Sequence, residues 1–318
     1  NNNLTKHIRQ TNANLLNLPT NFANVNQQER LSLKYLSKMS RSLDEYFDQS
    51  DFTFYCHRNV LTNLIMAIHD RNEKGVNFRV YKHKGNIFIQ PIEDLRRSDD
   101  YKTNPSVRAG FGFEKFLCKD DGDSCTYLMN KFTLSNNDVF VQSEIDACSE
   151  DSSTIYELKS ISSKGYNNPE QLAAKCLRSW AQNFFIPGDK ETLLGIRSMQ
   201  YHLTHVVKYT QSELINVWNR YYAEDKAHLR SHHAITDFTL ESMAFIFDYI
   251  RISVTKATLK ENNILVKNFN VKYKKGAQAI HPSSFFSHVY DLSSKNDVSK
   301  ADLFVRQGLE AIFSDHSI

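Results

Sequence analysis

The sequence predicts an α/β fold, because helical and strand-like apolar patterns alternate along its 318 residues. Three observations carry this. Leu61, Leu64, Ile65 and Ile68 recur at the 3.6-residue period of an amphipathic helix. Between Asn77 and Ile92, Phe78 and Val80 alternate on one side of Lys84-Gly85-Asn86, and Ile87 and Ile89 on the other, as in a hairpin. Asn168-Pro169-Glu170 opens a further helix, with Asn placed to cap free N–H groups and Pro preset for the first turn.

The remaining elements follow in order. Residues 1–27 are rich in Asn and Gln and read as an irregular surface arm. Pro105 precedes a helix that carries Gly110 to Leu117. Val139–Ala147 and Thr154–Ser160 are two strand-like runs, joined by the polar segment 148–153 in an antiparallel connection. The helix opened at Asn168 runs to about Phe185 and stops at Pro187-Gly188. Another is expected from Thr239 to about Thr258, with Leu240, Met243, Phe247, Ile250 and Val254 on one side and Phe245, Phe247 and Tyr249 read as core. A last one covers roughly 300–313. No repeat, long linker or sharp change of composition divides the chain, so residues 1–318 are expected to form a single domain.

Composition excludes several classes. A hydrophobic content of 41% and an aromatic content of 12% suffice for a substantial core and argue against disorder. The formal charge of +3 does not by itself advertise nucleic-acid binding, so phosphate contacts would need local clusters. The five cysteines (Cys56, Cys118, Cys125, Cys148 and Cys176) form no CxxC pair, which suits buried thiols better than disulfides or a zinc ribbon. No apolar run approaches the roughly 20 residues needed to span a bilayer, and no membrane partner is expected. His228, His232 and His233 are spaced as on a helix, as are His202 and His205 if that segment is helical, but no Cys pair or Glu stands nearby to complete a zinc site. The Lys272-Tyr273-Lys274-Lys275 run reads equally as a solvated strand face or an RNA contact, and Tyr221-Tyr222 as packing.

Chemistry concentrates in Glu144-Ile145-Asp146 and Glu157-Leu158-Lys159, which sit on the two neighbouring strand-like runs. Side chains alternate along a strand, so Glu144 and Asp146 share a face, as do Glu157 and Lys159. If the runs pair, three carboxylates and an ammonium converge, and a hard divalent cation such as Mg²⁺ or Mn²⁺ would neutralise them. Lys159 could then position water or stabilise charge on a phosphoryl group. On the helix after Asn168, Ala173, Leu177, Trp180, Ala181 and Phe184 form an apolar stripe. Gln171, Lys175, Arg178 and Gln182 form a polar one, suited either to water or to RNA phosphates.

Asp146, ten residues and then Glu157-x-Lys159 resembles the PD-(D/E)XK nuclease signature. With Arg58 ahead of Leu61-Thr62, Gly110-Phe111-Gly112-Phe113-Glu114, and Trp180-Ala181-Gln182-Asn183-Phe184, the set resembles the DXO-type RNA 5′-end decapping nucleases. Gly195-Ile196-Arg197 is similar to a Gly-Φ-Arg strand of that family. The resemblance implies a core of mixed, twisted β-sheets flanked by helices, with the acidic cluster at the base of a deep cleft. It implies two divalent cations held by Glu114, Asp146, Glu157 and the carbonyl of Leu158, with Glu144 touching metal-bound water or substrate. Lys159 and Gln182 match positions that hold the scissile phosphate or the attacking water, and Arg58 the one that binds the RNA 5′ region. Asn59 departs from the Gly found in many members, which bears on which 5′ groups are accepted.

The implied activity is metal-assisted removal of incomplete guanosine caps or NAD caps, followed by 5′→3′ RNA degradation in mRNA quality control. The alternative is a stabilising partner of a larger 5′→3′ exoribonuclease, as the nuclear family member is. The retained acidic set and the lack of a basic nuclear-import run favour a self-sufficient cytoplasmic enzyme.

Overall fold

The structure is a computed structural model that describes residues 53–69, 75–83, 85–92, 104–118, 126–149, 153–223, 232–255, 259–260, 263–274, 279–291 and 294. The arm at 1–27 and the helix expected at 300–313 lie outside the described residues, as do Lys84, Cys125, His228 and Lys275. Contacts divide the chain into two compact units, each assembled from three separate stretches of sequence. One comprises 1–26, 94–128 and 143–236, the other 27–93, 129–142 and 237–318. Each sheet is mixed and flanked by helices.

The second unit is organised on a seven-stranded sheet of order β11-β10-β2-β3-β1-β5-β4. Its strands are β1 (Thr53–His57), β2 (Val76–His83), β3 (Asn86–Pro91), β4 (Thr126–Leu134), β5 (Asn137–Ile145), β10 (Asn263–Lys274) and β11 (Ala279–Asp291). The expected hairpin is present: β2 and β3 are antiparallel, and His83 opposite Asn86 is the last pair. β1 lies parallel to both β3 and β5, which requires crossover connections, and helix α1 (Arg58–His69) leaves directly from its end. The apolar period of α1 buries Leu61, Leu64, Ile65 and Ile68.

Helix α6 (His232–Thr255) starts seven residues before the expected Thr239, because Ile235 continues the buried line of Thr239, Met243, Ile246, Phe247, Ile250 and Val254. Phe247 is fully buried and meets Phe54 edge-on at 4.9 Å. Phe245 was expected in the core but is 52% exposed. Two residues along a helix turn the side chain by about 200°, so Phe245 and Phe247 cannot share a face. Tyr249 is half-buried and packs edge-on against Phe269. Two lysines bond the last carbonyls of α6: Lys82 Nζ donates to Val254 O at 3.2 Å and Lys267 Nζ to Ser253 O at 3.3 Å. These carbonyls have no partner within the helix, and the cations also suit its negative end.

The first unit is organised on a four-stranded sheet of order β6-β7-β8-β9. Its strands are β6 (Ala147–Cys148), β7 (Thr154–Ser162), β8 (Asp189–Arg197) and β9 (Leu203–Thr210). β7 and β8 are parallel, joined through α3 (Ser163–Tyr166) and α4 (Pro169–Asn183). Helix α5 (Gln211–Ala223) follows β9. His202 and His205 therefore lie at and in a strand rather than on a helix. Asn168 caps α4 as expected, its side chain accepting the Gln171 N–H at 3.1 Å.

Each face of this sheet carries a separate core. Helix α2 (Pro105–Leu117) lays Ala109 and Phe113 on Leu158, Leu203 and Val206. On the other face Ile161, Leu194, Ile196 and Val207 meet Tyr166, Leu172 and Tyr209. Gly195 lies beneath the Phe113 ring so closely that an added Cβ would stand 2.6 Å from it.

Gly195→Ala should therefore force α2 off the sheet and destabilise the protein by about 1–3 kcal/mol. By contrast, Gly110 in α2 has nothing within 4 Å of a built Cβ. Gly110→Ala should be neutral or raise stability by up to about 1 kcal/mol through helix propensity. Thermal melts of the two variants check both signs.

Candidate active site

The site begins where the chain leaves one sheet for the other. β5 ends at Ile145, Asp146 forms a bend, and β6 starts at Ala147. The expected single strand over 139–147 is thus two strands, and only β6 pairs with β7, through Ala147–Tyr156 and Cys148–Ile155. Among the described residues the edge of β7 beyond Tyr156 has no strand partner on that side. There Asp146 Oδ2 accepts the Leu158 N–H at 2.8 Å, so a carboxylate satisfies a backbone donor that a strand would otherwise take. The Cys118 thiol, just past α2, donates to the Asp146 carbonyl at 3.5 Å.

Strand alternation in β7 acts as expected. Leu158 packs into the α2 core, while Ile161, two residues on from Lys159, belongs to the opposite one. Glu157 is only 1% exposed. Its carboxylate accepts a short hydrogen bond from Lys159 Nζ, which also donates to the Leu158 carbonyl at 3.1 Å and lies 3.6 Å from Asp146 Oδ2. Three acceptor oxygens from three residues thus meet at one compact cation.

Glu114 reaches this cluster from the last turn of α2. Its carboxyl is raised to about 8, by burial first and then by the charges of Asp146, Glu144 and Glu157, against the opposing pull of Lys159. Glu144 stands exposed at the end of β5. Among the described residues no three His, Cys, Asp or Glu side chains form a ready metal cage. The structure brings Asp146, Glu157 and the Leu158 carbonyl together around Lys159, and the bend at Asp146 interrupts the strand that carries Glu144. The donor set still suits a hard divalent ion: two carboxylates and a carbonyl already surround a positive charge, with a protonated Glu114 beside them.

The helix α2 is held by contacts that sequence reasoning missed. Arg197 Nη2 donates to Ser106 Oγ at 3.1 Å in the first turn of α2, and its guanidinium lies 4.5 Å from the centre of the Tyr201 ring. The signal was Gly195-Ile196-Arg197: the glycine admits Phe113, and the arginine ties the helix start. Gln182, on α4, is 8% exposed, and its Oε1 has no hydrogen-bond partner among the described residues. A buried acceptor in that state costs about 1–3 kcal/mol, so it is poised for a donor that the described residues do not supply. Arg58 is the first residue of α1 and belongs to the other unit.

Comparison with known proteins bears on this arrangement. A search of curated proteins gives no match. The structure is similar to that of Kluyveromyces (K.) lactis Dxo1 in complex with manganese, with TM-score 0.61 and 16% identity over 87% of this chain and 75% of that one. It is also similar to Candida albicans Rai1 in complex with pU5-Mn²⁺, with TM-score 0.52 and 14% identity over 93% and 81% of the two chains. A third similar structure is Scheffersomyces stipitis Rai1 with (3′-NADP)⁺ and a calcium ion, with TM-score 0.53 and 14% identity over 81% and 73%. At these identities the likeness shows the fold. Residues 2–286 match the family described as RAI1 like PD-(D/E)XK nuclease, and the chain belongs to that family.

Proposed function

We propose that the protein is a divalent-metal-dependent hydrolase of RNA 5′ ends, removing incomplete guanosine caps or NAD caps and degrading the exposed RNA 5′→3′. The observation that carries this reading is the meeting of Glu157, Asp146 and the Leu158 carbonyl at the Lys159 ammonium. Family membership gives the reaction class, and the bound species of the similar structures supply the substrate class: pU5 with Mn²⁺ in one Rai1 and (3′-NADP)⁺ in another.

Asp146, Glu157, the Leu158 carbonyl and Glu114 would hold Mg²⁺ or Mn²⁺, with Glu144 at the margin. Bound there, such ions supply an activated water and neutralise charge on the phosphoryl oxygens. The chain's own groups do the rest. Asp146 is oriented by the Leu158 N–H, so its remaining lone pairs point in a fixed direction. Lys159 carries the positive charge that a phosphoryl oxygen or the attacking water needs beside the scissile bond. Gln182 offers a buried amide to the same substrate, and Arg58 would bind the 5′ region.

RNAs labelled at the 5′ end and bearing monophosphate, triphosphate, unmethylated guanosine or NAD groups test the assignment, with Mn²⁺, Mg²⁺ or chelator. Glu157→Ala should lose every activity, by more than the roughly 10–100-fold that loss of an outer-shell partner costs. Full hydrolysis by that variant, or by the wild type in chelator, would overturn the reading.

Lys159→Met separates the two roles of the lysine. Without the ammonium, Glu157 is left buried beside Asp146, so the metal-free variant should melt earlier. Mn²⁺ should bind it at least as tightly as it binds the wild type, while hydrolysis is lost. Calorimetric titration with Mn²⁺ and melting with and without the ion check the pair of outcomes.

Glu114 sets a pH dependence. Its folded-state value of about 8 lies above the ordinary 4.5, so the folded protein holds a proton that the unfolded chain releases. Stability of the metal-free protein should therefore fall as pH rises between about 4.5 and 8. Glu114→Gln should flatten this fall, as should saturating Mn²⁺, in melting curves taken from pH 5 to 9.

A further inference from the structure

Helix α4 crosses the four-stranded sheet with one side turned to it. Leu172 packs into the core of that face, and Asn183 Nδ2 donates to Thr192 Oγ1 of β8 at 3.4 Å. Lys175 and Ser179 fall three and seven residues after Leu172, on the same line toward Asn183, and Gln182 lies one turn beyond Ser179 on its flank. These three polar side chains share an unusual condition. Among the described residues the Ser179 hydroxyl, in a residue 1% exposed, has no partner, and neither has Gln182 Oε1. Lys175 is half-buried and makes no hydrogen bond or ion pair among the described residues.

The charged neighbours of Lys175 are largely of its own sign. Its ammonium is lowered to about 8, by burial first and then by the cations Lys159, Arg178 and Arg197, with the neighbouring Cys176 thiol opposing them. The carboxylates nearest Lys159, those of Glu157 and Asp146, are already engaged by Lys159 itself. A lysine held among cations, with no acid of its own, is complete only when an anion arrives. An arginine or lysine bonded to a phosphate oxygen relieves this state, because the charge-assisted bond replaces lost water.

We propose that Lys175 binds a backbone phosphate of the RNA next to the scissile one, as an anion subsite on α4 that works without the metal. This rests on the RNA reading above and adds a residue to it. A phosphodiester accepts from Lys175 and from the Ser179 hydroxyl, and the ribose 2′-hydroxyl is a donor of the kind that Gln182 Oε1 lacks. Lys159 and Lys175 then hold successive phosphates, one beside the acidic cluster and one beside the helix.

Fluorescence anisotropy with a 5′-monophosphorylated oligouridylate, in EDTA and in Ca²⁺, tests the subsite. Lys175→Gln should weaken binding about tenfold. The slope of log affinity against log salt should become shallower by about 0.7, the value of one contact on single-stranded RNA. Lys175→Arg should retain most of the affinity, since the charge and donors remain. Mn²⁺ titrated alone should bind Lys175→Gln no more weakly than it binds the wild type. Wild-type affinity and salt slope in Lys175→Gln would overturn the subsite and leave the RNA reading standing, as would an equal loss of Mn²⁺ binding. Failure of the wild-type protein to bind the oligonucleotide in either condition would overturn both.

Discussion

The hydrogen bond from the Leu158 N–H to Asp146 Oδ2 is the constraint on which the site depends. β6 pairs with β7 for only two residues, and the chain must then satisfy the exposed edge of β7 in another way. A carboxylate at the bend does so, and this fixes Asp146 against the strand that carries Glu157 and Lys159. An exposed N–H edge is ordinarily a liability for a sheet. Here the same open edge admits an acid, and the acid becomes part of the reactive cluster.

Charge is then concentrated on purpose-built supports rather than on loops. Glu157 is buried in a strand with cores on both of its faces, so its carboxylate cannot turn away to water. Glu114 rides on α2, whose position is set by Phe113 over Gly195 and by Arg197 on Ser106. Each acid is thereby brought into an environment that raises its free energy when ionised. The protein offsets this internally with the Lys159 ammonium and with a proton on Glu114. Both are replaceable by a stronger counter-charge, which is the physical sense in which the cluster is prepared for a divalent ion.

Positive charge is arranged in the complementary way. Lys159 is tied to oxygens, whereas Lys175, on α4, has the cations Lys159, Arg178 and Arg197 as its main charged neighbours. The two lysines differ in nothing but surroundings, and composition gives no hint of it: the net charge of +3 is unremarkable for a chain that clusters its cations locally. Substrate recognition in such a protein is a matter of placement, not of bulk charge.

Much of this was legible in the residues before any coordinates. The helix cap at Asn168, the hairpin at residues 76–91 and the opposed faces of Glu157-Leu158-Lys159 rest on local stereochemistry, which sequence states directly. The family resemblance likewise rests on short motifs whose order survives in the chain. Tertiary structure alone decided the rest. It split the strand at Asp146, turned Phe245 to solvent, left Glu144 exposed at the end of β5, and set α2 on Gly195. Each of these depends on which strand edge or helix face meets which partner across long stretches of chain. Local periodicity constrains the direction of a side chain relative to its neighbours in sequence, but carries no information about what stands opposite.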